Sequence, residues 1–284
     1  MFHGVGDTNL PVASFEDILD MLATSFRFGS VEALLANRRG HNRPMVYLTF
    51  DDGLRNNYTH AYPVLRERSI PAMFYVCPAL IEAGAWLWTH EMRERLRTLG
   101  ERQLAELSRA VLEVKLGREQ IIDVMKGLGM DARRRVEERI RLATPGFIPD
   151  SAQRQAFDLM SWDELRQLDP GVITIGSHSM THAMLDSVTP EEAEYEVVTS
   201  RKVLETKLDR EVVHFCYPAG QVGPVAEALV RRTYRTATLT ARGSAPREMI
   251  DPYRLPRLSG TACRDLTVWA LVRAPKTMSI PGPT

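Results

Sequence analysis

The sequence has no run of about 18 consecutive apolar residues, so no membrane-spanning helix is expected. It has only three cysteines, Cys77, Cys216 and Cys263, far apart and with no CxxC pair. That excludes a disulfide framework and a cysteine-rich zinc module, and reads as reduced thiols in a cytoplasmic protein. It has no excess of charge: 36 Lys and Arg stand against 36 Asp and Glu. A balanced chain gives no support for nucleic acid or an anionic membrane as the main partner. The opening segment MFHGVGDTNLPVASFED has no basic stretch ahead of an apolar core, so no secretory signal is expected. Met1 stands almost inside the first apparent strand, which leaves a start further upstream open. No Gly-x-Gly-x-x-Gly follows a strand-like run, which removes the best support for a dinucleotide-binding fold. There is no Gly-x-Ser-x-Gly elbow for a serine nucleophile, no internal repeat and no low-complexity tract.

What is there is ordinary in bulk and specific in detail. The chain has 284 residues, 44% hydrophobic and 25% charged, which suits one large domain or one domain with an insertion. Strand-like and helix-like runs alternate. MFHGV reads as a short strand. Ser14 can cap a helix through FEDILDMLATSF, and Ser30 a second through VEALLANRR. Then come the strand Met45–Phe50, a helix near 57–68 and the strand Ala72–Cys77. Ser161 opens WDELRQL, and GVITIG reads as a strand. Thr189 and Glu192 form a capping box around Pro190, with Ala193, Val197, Leu204 and Leu208 as a buried stripe. VVHFCYP, RTATLT and YRLPRL read as strands, VAEALVRRTY and DLTVWALVR as helices, and residues 276–284 as a flexible tail. This alternation points to α/β with a parallel sheet, open or closed into a barrel. Between about 88 and 160 the β signals vanish, and charged segments with helical apolar spacing predict a helical insertion.

Polar residues gather where apparent strands end. VYLTF runs into Asp51, Asp52 and Gly53, VITIG runs into His178 and His182, and VVHF runs into Cys216–Gly220. In parallel α/β folds these ends form one rim. Two like charges side by side raise each other's pKa unless something offsets them, and a cation or a proton would do so. Two histidines four apart, on one helical turn, suit capture of a first-row metal by imidazole. One aspartate would complete a three-ligand site with an open position for water, and the other could take that water's proton.

These residues resemble the polysaccharide deacetylases, the NodB-like domain of carbohydrate esterase family four. TFDDG at 49–53 is similar to the family's first motif, HSMTH at 178–182 to its second, and FCYPAG at 215–220 to its third. MFHGV, WLWTHEM and YRLPRL resemble the opening strand, the Trp-rich segment and the closing strand. The resemblance covers nearly the whole chain outside the insertion. It implies a distorted (β/α) barrel of about seven units, spanning residues 1–275. It implies metal-dependent removal of acetyl from an N-acetylated sugar. Carried over residue by residue, Asp51 is the general base. Asp52, His178 and His182 hold one divalent ion, zinc by expectation, with cobalt or nickel as alternatives. The backbone N–H of Ala219 meets the oxyanion, and Tyr217 and Trp88 contact substrate.

The departures are specific. Cys216 stands where the family's third motif commonly carries an Arg that orients the base, and Arg257 on the last strand is the candidate substitute. No His follows His214, so the family's late general acid is missing. His3, at the end of the first strand, is the candidate in its place. Trp86 and Trp88 are candidates for a sugar-stacking platform. His60, Tyr62, His214 and Trp162 read as surface or packing residues. Two rival readings stand beside the deacetylase: an allantoinase-like amide hydrolase on a small non-sugar substrate, and a glycan-binding relative without turnover.

Overall fold

The computed structural model describes residues 1–30, 43–240 and 251–260. The helices expected at VEALLANRR and DLTVWALVR, Cys263 and the tail 276–284 lie outside the described residues. Seven short strands run through the described chain: β1 (Arg27–Phe28), β2 (Met45–Val46), β3 (Leu48–Phe50), β4 (Ala72–Val76), β5 (Ile173–Ser177), β6 (His214–Cys216) and β7 (Thr236–Thr238). Strands β3 to β7 form one parallel sheet in sequence order, and β1 pairs with β2 apart from it. The single strand expected over Met45–Phe50 is therefore two, which pair in different sheets.

The sheet curls into a distorted (β/α) barrel. Phe2 bridges to Phe50 outside β3, and Leu255 bridges to Thr238 outside β7. Hydrogen bonds join these two edge segments: Met1 donates to Leu258 O at 2.8 Å, and Gly260 N–H donates to Met1 O at 2.6 Å. The opening and closing segments, expected as strands, thus enter the ring through one bridge each.

Alternation along each strand sorts side chains to two faces. Phe50, Ala72, Phe74, Val76, Ile173, Ile175, Phe215 and Ala237 pack outward in the main core, against the buried Phe15, Ile18, Leu19 and Leu22 of helix Val12–Ser25. Those four helical positions follow i, i+3, i+4, i+7 spacing. The helix starts at Val12, two residues ahead of the Ser14 cap expected from sequence, because Pro11 supplies the boundary. The alternate positions face the barrel interior, where Met73, Tyr75 and Cys216 form their own small cluster. Gly176 is required there: a Cβ on it would stand 2.5 Å from the Tyr75 ring. The interior therefore receives Thr49, Asp51, His178 and Cys216 by the same two-residue period that sends phenylalanines outward.

Between β4 and β5 lie helices Pro78–Ala83, Trp88–Arg97, Glu101–Leu112, Arg118–Lys126, Met130–Ala143, Ser151–Phe157 and Trp162–Gln167. Those from Trp88 to Ala143 bury a second apolar cluster, including Trp88, Met92, Leu96, Ile122, Met125 and Ile140. Met184, two residues past His182, belongs to it and ties this helical layer to the rim. Among the described residues no helix is long and apolar enough to cross a membrane.

Candidate active site

Asp51 follows β3 directly, points into the barrel and is 1% exposed. Arg257 reaches it from the closing segment and grips both oxygens: Nη1 donates to Oδ1 at 2.6 Å and Nη2 to Oδ2 at 2.7 Å. The guanidinium also donates to Thr49 Oγ1, Leu239 O and Cys216 Sγ, and lies over the Tyr75 ring. Burial alone would raise the Asp51 pKa, but the Arg257 charge and its hydrogen bonds hold it down to about 2. Asp51 is thus a charged carboxylate in a closed interior, with Arg257 and Cys216 meeting at its side.

Asp52 turns the other way. Its φ of 74° and the 72° of Gly53 put two successive residues in the left-handed region, which lifts the second carboxylate off the strand line. Its Oδ1 stands 3.6 Å from His178 Nε2 and 3.6 Å from His182 Nε2. The three donor atoms all lie within 4.8 Å of one another, and all three side chains are buried. His178 Nδ1 is 2.8 Å from Cys216 O. A proton on Nδ1 in that contact leaves the Nε2 lone pair free toward Asp52. One carboxylate and two imidazoles with their donor atoms converging fit a divalent first-row cation with an open coordination position. Burial tends to raise the Asp52 pKa, yet the His178 ring and the other nearby histidines hold it far below the carboxylate range. Burial and the charge on His178 press His182 down to about 3.

The loop that carries the two histidines is not the helical turn expected from their spacing. Ser179 and His182 take φ of 63° and 58°. What holds it is Glu196, fully buried, which accepts Met180 N–H at 2.9 Å, Thr181 N–H at 2.8 Å and Thr181 O–H at 2.5 Å. Glu196 comes from a π-helical turn, Tyr195–Thr199, between helices Pro190–Glu194 and Ser200–Leu208. The extra residue in that turn is a device found often at functional sites. Nothing in the sequence separates Glu196 from its charged helical neighbours. His90 was missed too. Its Nε2 lies 3.9 Å from Asp52 Oδ2, the oxygen other than the one that faces His178 and His182.

The other expected residues fall into two groups. Ala219 is exposed, with φ of 52°, and its N–H has no acceptor among the described residues. A left-handed alanine is a strained conformation of the kind that clusters at functional sites. His3 is exposed and close enough for its charge to bear on Asp51, Asp52 and His90. Trp88 and Tyr217 are corrected. Trp88 is 5% exposed, with Arg133 over its ring and its Nε1 donating to His182 O at 3.1 Å. Tyr217 is fully buried in the outer core against Phe215. Neither ring has a free face for a sugar, since helix packing and the strand's alternation bury them. Trp86 is half-buried, packed on Phe147 and Phe157 with its Nε1 donating to Asp158 Oδ1 at 2.8 Å, and keeps surface near His90.

Comparison with solved structures shows the same fold. The deacetylase PplD of Streptococcus pyogenes, in complex with acetate, superposes with a TM-score of 0.61 at 16% identity, over 98% of this chain and 97% of that one. IcaB from Ammonifex degensii gives a TM-score of 0.55 at 17% identity, covering 95% and 96%. BC0361, a polysaccharide deacetylase from Bacillus cereus, gives 0.54 at 18%, covering 91% and 63%. No curated protein sequence matches the chain. The polysaccharide deacetylase family model matches residues 38–238, which include the Asp51–Asp52 pair, both histidines of the rim and Cys216, and the chain belongs to that family.

Proposed function

We propose that the protein removes N-acetyl groups from an acetylated sugar or glycan, with Asp51 as general base beside a metal site made by Asp52, His178 and His182. The observation that carries this is the split of two adjacent carboxylates. One is locked to Arg257, and the other is aimed at two imidazoles 3.6 Å away. Asp52, His178 and His182 would hold a divalent ion, which would serve as a Lewis acid and lower the pKa of water at the site. Asp51, kept charged by Arg257, takes the proton from the attacking water. Arg257 engages both carboxylate oxygens and so fixes the direction from which the proton arrives. The Ala219 N–H is the donor for the oxyanion that develops on the amide oxygen, a role that needs only its backbone. His3, open at the mouth, donates the proton to the departing amine in place of the missing late histidine.

The test is acetate release from N-acetylglucosamine oligomers by purified protein, with and without a chelator. Metal-dependent release supports the assignment. Turnover of allantoin with no release from sugars would move the substrate to a ureide. Sugar binding with no release under metal would make the chain a binding relative.

A further inference from the structure

The first helix of the insertion, Trp88–Arg97, touches two of the three residues assigned to the metal, and does so through different side chains. Trp88 Nε1 donates to the backbone oxygen of His182 at 3.1 Å. His90, two residues on, brings Nε2 to 3.9 Å from Asp52 Oδ2. Asp52 is thus divided: Oδ1 faces His178 and His182, while Oδ2 faces His90. The His90 ring is fixed on its own account. It packs on Phe157 with centroids 4.7 Å apart, and its backbone N–H is held by Leu87 O in the first helical turn. Its buried Nδ1 has no hydrogen-bond partner, so among the described residues Asp52 is the group placed to receive this ring's N–H.

A carboxylate that binds a metal through one oxygen is free to swing unless its second oxygen is held, and such outer partners are worth a factor of about 10–100 in metal affinity. We infer that His90 is a positioning residue of the metal site. It holds Asp52 Oδ2 by an Nε2–H donor, so that Oδ1 stays directed at the cation, and the helical insertion is by this contact part of the metal centre. At 3.9 Å the contact is longer than a formed hydrogen bond, and contacts of this kind are often long until a site is loaded. The inference rests on the Asp52–His178–His182 reading of the preceding section.

Zinc affinity, measured by competition with a chromophoric chelator on the full chain, decides it. His90→Ala should weaken zinc binding about 10–100-fold. His90→Gln, whose amide nitrogen can stand close to the position of the imidazole Nε2 and donate, should recover most of that loss. His90→Phe, which keeps the packing on Phe157 and lacks the donor, should bind as weakly as His90→Ala while melting like the wild type. Equal zinc affinity in wild type and both donor-less variants would overturn the inference, as would a loss of turnover with zinc affinity unchanged. Wild-type protein that binds no zinc would instead remove the metal site itself, and with it the assigned function.

Discussion

At the scale of single residues, Asp51 and Arg257 explain each other. A carboxylate this buried keeps its charge only with a matched partner, and a buried guanidinium has the same need. Arg257→Met should therefore cost about 3–5 kcal/mol in urea unfolding, because it leaves Asp51 charged and unpaired. The same change in an Asp51→Asn background should cost clearly less. Equal costs in the two backgrounds would show that the pair is not coupled. Asp51→Asn alone should lower turnover about 10²–10⁴-fold while metal stays bound, as acetate release and metal content together would show. Loss of metal in that variant would contradict its role as base. Cys216, in the position where the family commonly has an arginine, accepts from Arg257 Nη2 at 3.0 Å, so the guanidinium arrives from the closing strand segment.

At the scale of elements, the strands that carry the site were readable, and the fold of the loop between the two histidines was not. The placement of Asp51, His178 and Cys216 in one interior follows from period-two alternation ending at known strand termini. Arg257 could be named because it sits on the last strand-like run. The loop His178–His182 was misread as a helical turn, since four-residue spacing alone cannot reveal that a carboxylate 14 residues beyond His182 organises the backbone. Glu196 looks like one more charge on a solvated helix, and only the π-helical turn turns it inward. His90 lies on an insertion helix, away from any strand end, where no rim argument reaches it. Trp88 and Tyr217 show the converse: aromatic identity is visible in sequence, whereas which face is covered depends on packing. Glu196→Gln is the direct test of the loop's support. Its amide offers one acceptor oxygen to three donors, so one buried N–H or O–H should go unsatisfied. The expected cost is about 1–3 kcal/mol in thermal unfolding, together with weaker metal retention. An unchanged melting temperature and metal content would show the loop holds itself.

At the scale of the whole molecule, the site belongs to the closure of the barrel. Arg257 lies on the segment that meets Met1, so the pairing of Asp51 with Arg257 joins the two edges of the ring from within. Its strength has a pH signature. The folded pKa of Asp51, about 2, lies below its ordinary 3.8. The stabilisation is therefore fully present above pH 3.8 and lost as pH falls through 2. The difference corresponds to about 2 kcal/mol. In metal-free protein, urea unfolding between pH 5 and 2 should show wild type losing about 2 kcal/mol more than Asp51→Asn. Parallel curves would remove this coupling. The measurement that reaches the central claim most directly is the metal content of purified protein, by mass spectrometry under chelator-free conditions, for wild type and Asp52→Ala. The account predicts about one equivalent of a divalent ion in the wild type, as the three-ligand site requires, and loss of it in the variant. A wild type without metal, or a variant that retains it in full, would contradict the Asp52–His178–His182 site.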